Sequence, residues 1–274
     1  MATVRRTICR VALFEAWLDR WALTVDGPRI RTTMSDLLPV LRSGVPAMLK
    51  IARTPAEWRG ASILSWYAGD GAVRVLEIDG PAVLLERARG DQSLANMSRT
   101  GRDDEATRIL CATIRQLHTP NERPAPPDLV PLSRWFRALE SADHPLLTRS
   151  KAAARELLAD MHSVVPLHGD IHHDNVLHDH ERGWLAIDPK GLVGERTFDY
   201  TNIFCNPDRE TATVPSTFAR RIDLVAREAS IDRERLVKWV LAYAGLSAVW
   251  CMEDGDGVEL RLAIVELASR ELNI

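Results

Sequence analysis

The sequence predicts an α+β protein with a smaller, β-rich N-terminal lobe and a larger, mainly helical C-terminal lobe. Short runs of β-forming residues alternate with turn residues up to about residue 90. Beyond that point, apolar residues recur at helical spacing in long segments. The 274 residues are enough for one large domain or two closely packed lobes. We therefore divide the chain into an N-terminal lobe of residues 1–88 and a C-terminal lobe of residues 89–274.

The N-terminal lobe is predicted to contain five strands and a helix. Turn residues such as Asp26-Gly27-Pro28 and Ser43-Gly44 separate the strands. Thr54-Pro55 suits the start of the helix, because Thr can cap a helix and Pro is tolerated in its first turn. The predicted strands are 21–25, 37–41, 46–51, 71–76 and 81–86, and the predicted helix is 56–68.

The C-terminal lobe is predicted to contain helices on both sides of a short β-hairpin. The hairpin follows Asn175 and turns at Glu181-Arg182-Gly183. Asp103 is the expected N-cap of the first helix, since a short side-chain carboxylate can accept hydrogen bonds from the first backbone N–H groups. The predicted helices are 104–118, 133–139, 149–162, 221–230, 232–252 and 258–272.

Composition and charge argue against several classes of protein. No apolar stretch reaches the roughly 18 residues of a membrane span, and the N-terminus lacks a signal-peptide pattern. The four cysteines are scattered, as is typical of free thiols in a reducing compartment. The net charge of −3 argues against a nucleic-acid-binding protein. We therefore expect a cytoplasmic protein with no membrane or nucleic-acid partner.

The two halves of the chain differ in charge. Residues 1–88 carry 12 Lys and Arg against 9 Asp and Glu, whereas the remainder carries 23 against 29. A basic N-terminal lobe suits an anionic nucleotide, and an acidic C-terminal lobe suits a cationic substrate.

The most informative stretch runs from His168 to Asn175 and is followed by Ile187-Asp188-Pro189. The predicted hairpin brings Asn175 and Asp188 to the same end. An amide oxygen and a carboxylate there suit Mg²⁺, a hard cation that binds few protein ligands. Asp170 is left to face a substrate hydroxyl and to accept its proton. This is the polar arrangement of phosphoryl transfer from a nucleotide to an alcohol.

Two other interpretations of this stretch remain open. Five histidines lie between 168 and 180 and could form a metal-binding tract, although their spacing fits no zinc pattern. The stretch could also be an ordinary loop rich in Asp and His. We assign His168 to orienting the loop by hydrogen bonding, and His178 and His180 to a turn without a functional role.

The stretch resembles the H-x-D-x-x-x-x-N catalytic loop of the protein-kinase-like superfamily. Its spelling His-Gly-Asp-x-His-x-x-Asn, with Ile-Asp-Pro, is similar to the aminoglycoside phosphotransferase family. The runs 183–189, 194–200 and 245–250 are similar to the streptomycin 6-phosphotransferases of that family. The resemblance implies a two-lobed protein-kinase-like fold with a small antiparallel N-terminal sheet. It also implies that ATP and Mg²⁺ are used to phosphorylate the 6-hydroxyl of the streptidine ring of streptomycin.

The resemblance assigns nucleotide-binding roles in the N-terminal lobe. Lys50 would bind the α- and β-phosphates, and Glu57 would hold the Lys50 ammonium in place. Ser35, in the glycine-free loop 31–36, would contact phosphate. The backbone of residues 86–88, represented by Glu86 and Ala88, would hydrogen-bond the adenine edge between apolar walls from Leu84 and Ala47.

Acidic residues of the C-terminal lobe are candidates for binding a cationic substrate. Guanidinium groups form bidentate, charge-assisted hydrogen bonds with carboxylates. In the family, the residue at the position of Asp199 mainly braces the catalytic loop. The candidates are Glu195, Asp199, Asp254 and Asp256.

We therefore expect a monomeric phosphotransferase that acts on an alcohol group of a small aminoglycoside. A kinase of another small cationic alcohol, such as a different aminoglycoside or choline, is the alternative within the same fold. A nucleotide-binding module without catalysis is a third possibility, but it predicts the loss of Lys50, Asp170, Asn175 or Asp188, and all four are present. A metal-binding protein built on the histidines is a fourth.

Overall fold

The computed structural model describes residues 13–274, apart from the side chains of residues 55–57. Its N-terminal part is a six-stranded antiparallel sheet with two helices. In chain order, one helix precedes the first strand and the other follows the fourth strand. The elements are α1 (Glu15–Arg20), β1 (Leu23–Val25), β2 (Ile30–Arg31), β3 (Ser35–Arg42), β4 (Val45–Ala52), α2 (Pro55–Tyr67), β5 (Val75–Asp79) and β6 (Ala82–Glu86).

The two faces of this sheet pack against different parts of the molecule. The strand order is β1-β3-β4-β6-β5, with β2 paired to β3. Because side chains alternate along a strand, Leu49 and Leu84 point to one face, where they pack with Phe14 and the residues of α1. Val83 and Leu85 point to the other face and join the core shared with the C-terminal part. The sheet therefore separates a small outer core from the large inner one.

The C-terminal part is mainly helical and contains two small sheets. Strands β7, β11 and β8 form one sheet, and β9 and β10 form a hairpin. The elements are α3 (Leu94–Arg99), α4 (Asp103–Leu117), β7 (Val130–Pro131), α5 (Leu132–Trp135), α6 (Arg137–Ser141), a 3₁₀ turn (Pro145–Leu147), α7 (Thr148–Ala159), β8 (Val164–Leu167), β9 (Val176–Asp179), β10 (Gly183–Ala186), β11 (Leu192–Glu195), a 3₁₀ segment (Arg196–Cys205), α8 (Arg209–Ala212), α9 (Pro215–Ala229), α10 (Arg233–Asp254) and α11 (Glu259–Glu271).

Helix α10 forms the centre of the C-terminal core. It is apolar on nearly all sides, and Trp239, Leu241 and Leu246 are fully buried. Among the described residues, α10 is the one helix long and apolar enough to cross a membrane, and 72% of its apolar window is buried inside the molecule. A helix that is apolar all round belongs in the core of a large domain, and this is where α10 lies.

A buried ion pair joins α4 to α9. The Arg221 guanidinium is 1% exposed and donates to the Asp103 carboxylate at 2.6 Å. Burial alone would raise the pKa of Asp103, but hydrogen bonding to Arg221 holds it below the usual value. Asp103 was expected to cap α4 from outside the helix, and this is wrong: Asp103 is the first residue of α4 and points inward.

The predicted fold class is confirmed, and most elements lie where the sequence placed them. The predicted strand 71–76 is wrong in position. Its first residues join the hairpin instead, with Val73 N–H donating to Ala186 O at 3.1 Å, and β5 begins at Val75. The predicted helix 133–139 is two short helices that meet at the buried Phe136. The lobe boundary at residue 88 stays a prediction; β6 ends at Glu86 and α3 begins at Leu94.

Replacing Asp103 by Ala should strongly destabilise the fold. The variant leaves the Arg221 guanidinium buried without its counter-charge, which typically costs about 3–5 kcal/mol of unfolding free energy. Urea unfolding at neutral pH measures the loss. The control is Glu140→Ala, which breaks the exposed Arg155–Glu140 pair on the surface and should leave the unfolding midpoint unchanged. Similar midpoints for both variants would contradict a stabilising role for the buried pair.

Candidate active site

A cavity of about 410 Å³ lies between the N-terminal sheet and the β9–β10 hairpin. Its walls are mostly apolar, and its charged lining residues include Lys50 and Asp188. It includes six of the residues expected from the sequence to bind nucleotide or metal. These are Lys50, Ser35, Glu86, Ala88, Asn175 and Asp188.

Asp188 and Lys50 form an ion pair across this cavity. The Lys50 ammonium binds Asp188 Oδ1, and the Lys190 ammonium lies 3.7 Å from Asp188 Oδ2. Burial would raise the pKa of Asp188, but the two ammonium groups hold it below the usual value, so Asp188 is ionised at neutral pH. The backbone of Asp188 is left-handed, with φ at +59°, a conformation that Asp tolerates better than most residues.

Asp170 is held in place by two amide side chains. Asn175 Nδ2 donates to Asp170 Oδ2 at 3.2 Å and to its backbone carbonyl at 2.9 Å. Asn202 Nδ2 donates to Oδ1 at 2.8 Å. The Lys190 ammonium lies 3.4 Å from Oδ2. Asp170 and Asp188 thus face a shared cation, and the carboxylate of Asp170 has little rotational freedom.

The orientation of the Asn175 amide also suits cation binding. Its Nδ2 is used by Asp170, so Oδ1 is the atom left to bind a cation. Asp188, which lines the same cavity, supplies a carboxylate. An amide oxygen and a carboxylate are a donor set that fits Mg²⁺, which takes one or two protein ligands and completes its shell with phosphate and water.

His168 and Asp199 fix the backbone that presents Asp170. Asp199 accepts the N–H of His168 at 3.0 Å and of Gly169 at 2.6 Å. His168 Nδ1 accepts the Asp170 N–H at 3.2 Å, so Nε2 carries the proton and donates to Ile187 O at 2.9 Å. Burial lowers the pKa of His168, which agrees with this neutral tautomer. His168 therefore links the loop that carries Asp170 to the residue before Asp188.

Glycine is required at position 169. Its φ is +82°, and an added Cβ would lie 2.7 Å from Leu192 Cδ1. The close packing of the loop against β11 therefore depends on a residue without a side chain.

Two of the four expected substrate-binding carboxylates are used by the fold, and those expectations are wrong. Glu195 is 1% exposed, accepts from Trp239 Nε1 at 2.9 Å and pairs with Arg235 at 2.5 Å. Asp199 is also 1% exposed, with its oxygens on the loop backbone and 2.7 Å from His118 Nε2. Neither carboxylate is available to a ligand, and the bracing position of Asp199 is the one expected from the family.

The expected apolar walls of the nucleotide site are also wrong, by one residue. Leu84 and Ala47 belong to the outer core of the N-terminal lobe. Because side chains alternate along β4 and β6, their neighbours Met48, Val83 and Leu85 line the cavity. The segment 86–88 does line it, although the Glu86 N–H already donates to Arg74 O at 2.9 Å.

Some expected residues have roles that stay predictions. The Glu57 side chain lies outside the described residues. Asp254 ends α10, Asp256 follows in the next turn, and both are exposed. Their part in binding a substrate stays a prediction.

Sequence reasoning missed two residues that contact Asp170. Asn202 lies in an irregular 3₁₀ segment 32 residues away, and no motif marks it. Lys190 follows Asp188 closely enough to have been found, because a Lys beside a metal-binding Asp is a candidate phosphate ligand. The site therefore has two cations, Lys50 and Lys190, beside two carboxylates, which suits the transfer of an anionic group.

Residues 20–255 match the family described as aminoglycoside/hydroxyurea antibiotic resistance kinase. The chain belongs to this family. The kinase is 47% identical over 254 residues to a streptomycin 3''-kinase of Klebsiella pneumoniae, with 90% of this chain and 95% of the relative covered. It is 34% identical to a streptomycin 6-kinase of Streptomyces griseus, with 89% and 83% covered. The expected family is thus confirmed, and the kinase is a phosphotransferase with an alcohol acceptor.

A solved structure agrees with the fold of the kinase. A thermostable mutant of the aminoglycoside phosphotransferase APH(4)-Ia, in a ternary complex with ADP and hygromycin B, superposes with a TM-score of 0.68 at 12% identity. The match covers 93% of this chain and 97% of the other. At this identity the likeness shows the fold alone, and it confirms the expected two-lobed, kinase-like architecture.

Proposed function

We propose that this kinase transfers the γ-phosphoryl group of ATP to a hydroxyl group of streptomycin. The main support is the cluster of Asp170, Asn175, Asp188 and Lys50 beside a cavity of nucleotide size, in a chain closely related to streptomycin kinases. Ligand pockets usually measure about 300–1,000 Å³, and this cavity lies within that range.

The acceptor position is proposed from the relatives. The sequence favoured the 6-hydroxyl, but the relative with 47% identity is a 3''-kinase, whereas the 6-kinase is 34% identical. We therefore propose the 3''-hydroxyl of streptomycin as the acceptor. The 6-hydroxyl is the alternative.

The cavity divides into an apolar part and a charged part. The adenine would lie between Met48, Val83 and Leu85 on the sheet and Leu177 and Ile187 on the hairpin. The carbonyl of residue 86 and the N–H of residue 88 are the backbone groups that could read its edge. The phosphates would then lie towards Lys50, with Ser35 and the turn that contains Thr32 above them.

Asn175 Oδ1 and the Asp188 carboxylate would hold the Mg²⁺ of Mg-ATP. A bound Mg²⁺ ion neutralises negative charge on the phosphate oxygens. The Lys50 ammonium, which pairs with Asp188, would bind the phosphates at the same place. The proximity of Lys50, Asn175 and Asp188 supports this part of the proposal.

Asp170 would orient the acceptor hydroxyl and accept its proton. Asn175 and Asn202 fix both oxygens of Asp170, so the carboxylate keeps one orientation. Phosphoryl transfer passes through a loose transition state, in which most of the catalysis comes from positioning and charge stabilisation. A fixed Asp170 would contribute the positioning.

Lys190 would contribute the charge stabilisation. Its ammonium lies 3.4 Å from Asp170 and 3.7 Å from Asp188, between the proton acceptor and the metal-binding carboxylate. In the proposed roles of Asp170 and Asp188, the transferred phosphoryl group would lie between these two residues. Lys190 can therefore donate to its oxygens as negative charge moves across them.

A direct assay tests this function. The purified kinase is incubated with Mg-ATP and streptomycin, and ADP release and the mass of the drug are followed. We expect the gain of one phosphoryl group, located by fragmentation on the ring that carries the 3''-hydroxyl. A phosphoryl group on the streptidine ring would instead support the 6-hydroxyl.

Other acceptors serve as controls in the same assay. Kanamycin and choline test whether any cationic alcohol is sufficient, and hydroxyurea tests the other acceptor in the family description. Phosphorylation of one of these, with streptomycin unchanged, would overturn the proposal but leave the chain a kinase.

Replacing Asp170 by Ala should lower kcat by roughly 10²–10⁴-fold, the usual contribution of a positioned general base. The matched control is Asp174→Ala, because Asp174 lies in the same loop but is exposed. Steady-state kinetics with streptomycin measure both variants. A folded Asp170→Ala variant with kcat within a few-fold of the wild type would exclude Asp170 as the proton acceptor.

Replacing Lys190 by Met should lower kcat by roughly 10²–10³-fold while KM for ATP changes little, because the interaction strengthens in the transition state. Lys190→Arg should keep more activity, since it retains the charge. Lys238→Met is the control, as Lys238 is similarly exposed but pairs with Glu156 on the surface. A large rise in KM for ATP with unchanged kcat would instead make Lys190 a ground-state phosphate ligand.

A further inference from the structure

Two histidines of the catalytic hairpin lie beside the segment that connects the lobes. His178 is in β9, and His180 follows in the turn. The connecting segment runs alongside β9, where Gly90 N–H donates to His178 O at 2.8 Å and Arg89 N–H donates to Asp179 Oδ2 at 3.1 Å. The next residue, Asp91, thereby comes close to both histidines.

The side chains of Asp91, His178 and His180 form a cluster. Each offers one ligand atom, and the three atoms lie within 4.8 Å of one another. Asp91 Oδ1 is 3.8 Å from His178 Nδ1. Asp91 is distant from the two histidines in the sequence. The spacing of the histidines alone therefore could not indicate this cluster.

The His178 ring is held in place, and one of its nitrogens is unpartnered. Its side chain is 15% exposed, it packs 5.1 Å from the Trp184 ring, and an added Cβ at Gly90 would overlap it. Within residues 13–274, Nδ1 is buried and has no hydrogen-bond partner. A buried polar atom without a partner is costly, and a bound cation beside Asp91 would satisfy it.

The three side chains can reach metal-ligand geometry by small movements. Ligands of tetrahedral Zn²⁺ at 2.0–2.1 Å are about 3.3 Å apart, so ligand atoms that lie within 4.8 Å of one another have to move closer together. Asp91 and His180 are exposed and can rotate, whereas His178 stays fixed. Two imidazoles and one carboxylate, with water in the fourth position, form a common Zn²⁺ set.

We propose that Asp91, His178 and His180 form a second divalent-metal site, of the type that binds Zn²⁺, outside the catalytic centre. The metal would tie the connecting segment to the hairpin that carries Asn175 and Asp188 at its other end. The bound form is therefore more stable than the metal-free form, by mass action on the folded state. This proposal does not depend on the identity of the phosphoryl acceptor.

Zinc titration of the metal-free, full-length kinase tests the proposal. The protein is treated with a chelator, and Zn²⁺ is added without nucleotide in competition with a chromophoric chelator. We expect one equivalent to bind and the melting temperature to rise with Zn²⁺ concentration. His180→Gln and Asp91→Asn should each weaken binding at least about tenfold, since even the loss of an outer hydrogen-bond partner of a ligand costs that much.

Two control variants test whether Zn²⁺ binding is specific to this cluster. Asp188→Ala removes a carboxylate of the catalytic centre and should leave Zn²⁺ binding unchanged. His162→Gln removes another surface histidine beside a carboxylate, with Nε2 3.1 Å from Asp160 Oδ2, and should also have no effect. His180 and Asp91 are both exposed, so their variants should fold.

Two results would overturn the proposal. Zn²⁺ binding that is lost in Asp188→Ala but kept in His180→Gln would assign the metal to the catalytic centre. Equal binding by the wild type, His180→Gln and Asp91→Asn, or no binding at all, would show that the cluster is not a metal site.

Discussion

The carboxylate of Asp199 is the constraint on which the proposed catalytic centre depends. It is buried in the 3₁₀ segment 196–205 and accepts the backbone N–H groups of His168 and Gly169. These bonds stabilise the left-handed turn at Gly169. The neutral His168 ring donates a hydrogen bond to the carbonyl of Ile187 and so connects the loop to the residue before Asp188. Asp170 and Asp188 therefore keep a fixed separation, although they lie on different segments of the chain. A carboxylate that accepts two N–H groups is expensive to remove, because both donors would remain buried without partners.

The protein's own contacts hold the charges of the site together. Lys50 comes from the N-terminal sheet, and Asp188 and Lys190 come from the segment after β10. The pairing of Lys50 with Asp188 connects the sheet to the segment after the hairpin across the cavity. Since the strongest electrostatic stabilisation comes from groups that need no reorganisation, this arrangement favours the binding and transfer of a polyanionic phosphate chain.

The fold and the site could be predicted from the sequence to different depths. The spacing of Asp170, Asn175 and Asp188 was sufficient to place a hairpin and to bring three candidate side chains together, because all of them are close in sequence. The walls of the cavity were misplaced because a strand buried on both faces, such as β6, has no polar side to set its phase. Leu84 and Leu85 are equally apolar, and only the packing of α1 and of the inner core decides which faces the cavity.

Long-range partners explain the remaining errors. Asn202 and Asp170 meet through an irregular segment, and nothing local in the sequence requires it. Asp103 has the composition of a helix cap, but Arg221, 118 residues away, draws it into the interior. Glu195 is likewise bound by Arg235 and Trp239 on α10. A charged residue therefore cannot be assigned to a surface or to the interior until its partner is known.

This distinction bears on how a cationic acceptor is recognised. The acidic balance of the C-terminal lobe suggested a carboxylate-rich binding surface, but Glu195, Asp199 and Asp103 are all buried and paired with groups of the protein itself. Arg221 and Arg235 neutralise Asp103 and Glu195 locally, and the oxygens of Asp199 are used by the backbone of the loop. The carboxylates that can attract guanidinium groups are those left in solvent, and of the four expected from the sequence these are Asp254 and Asp256.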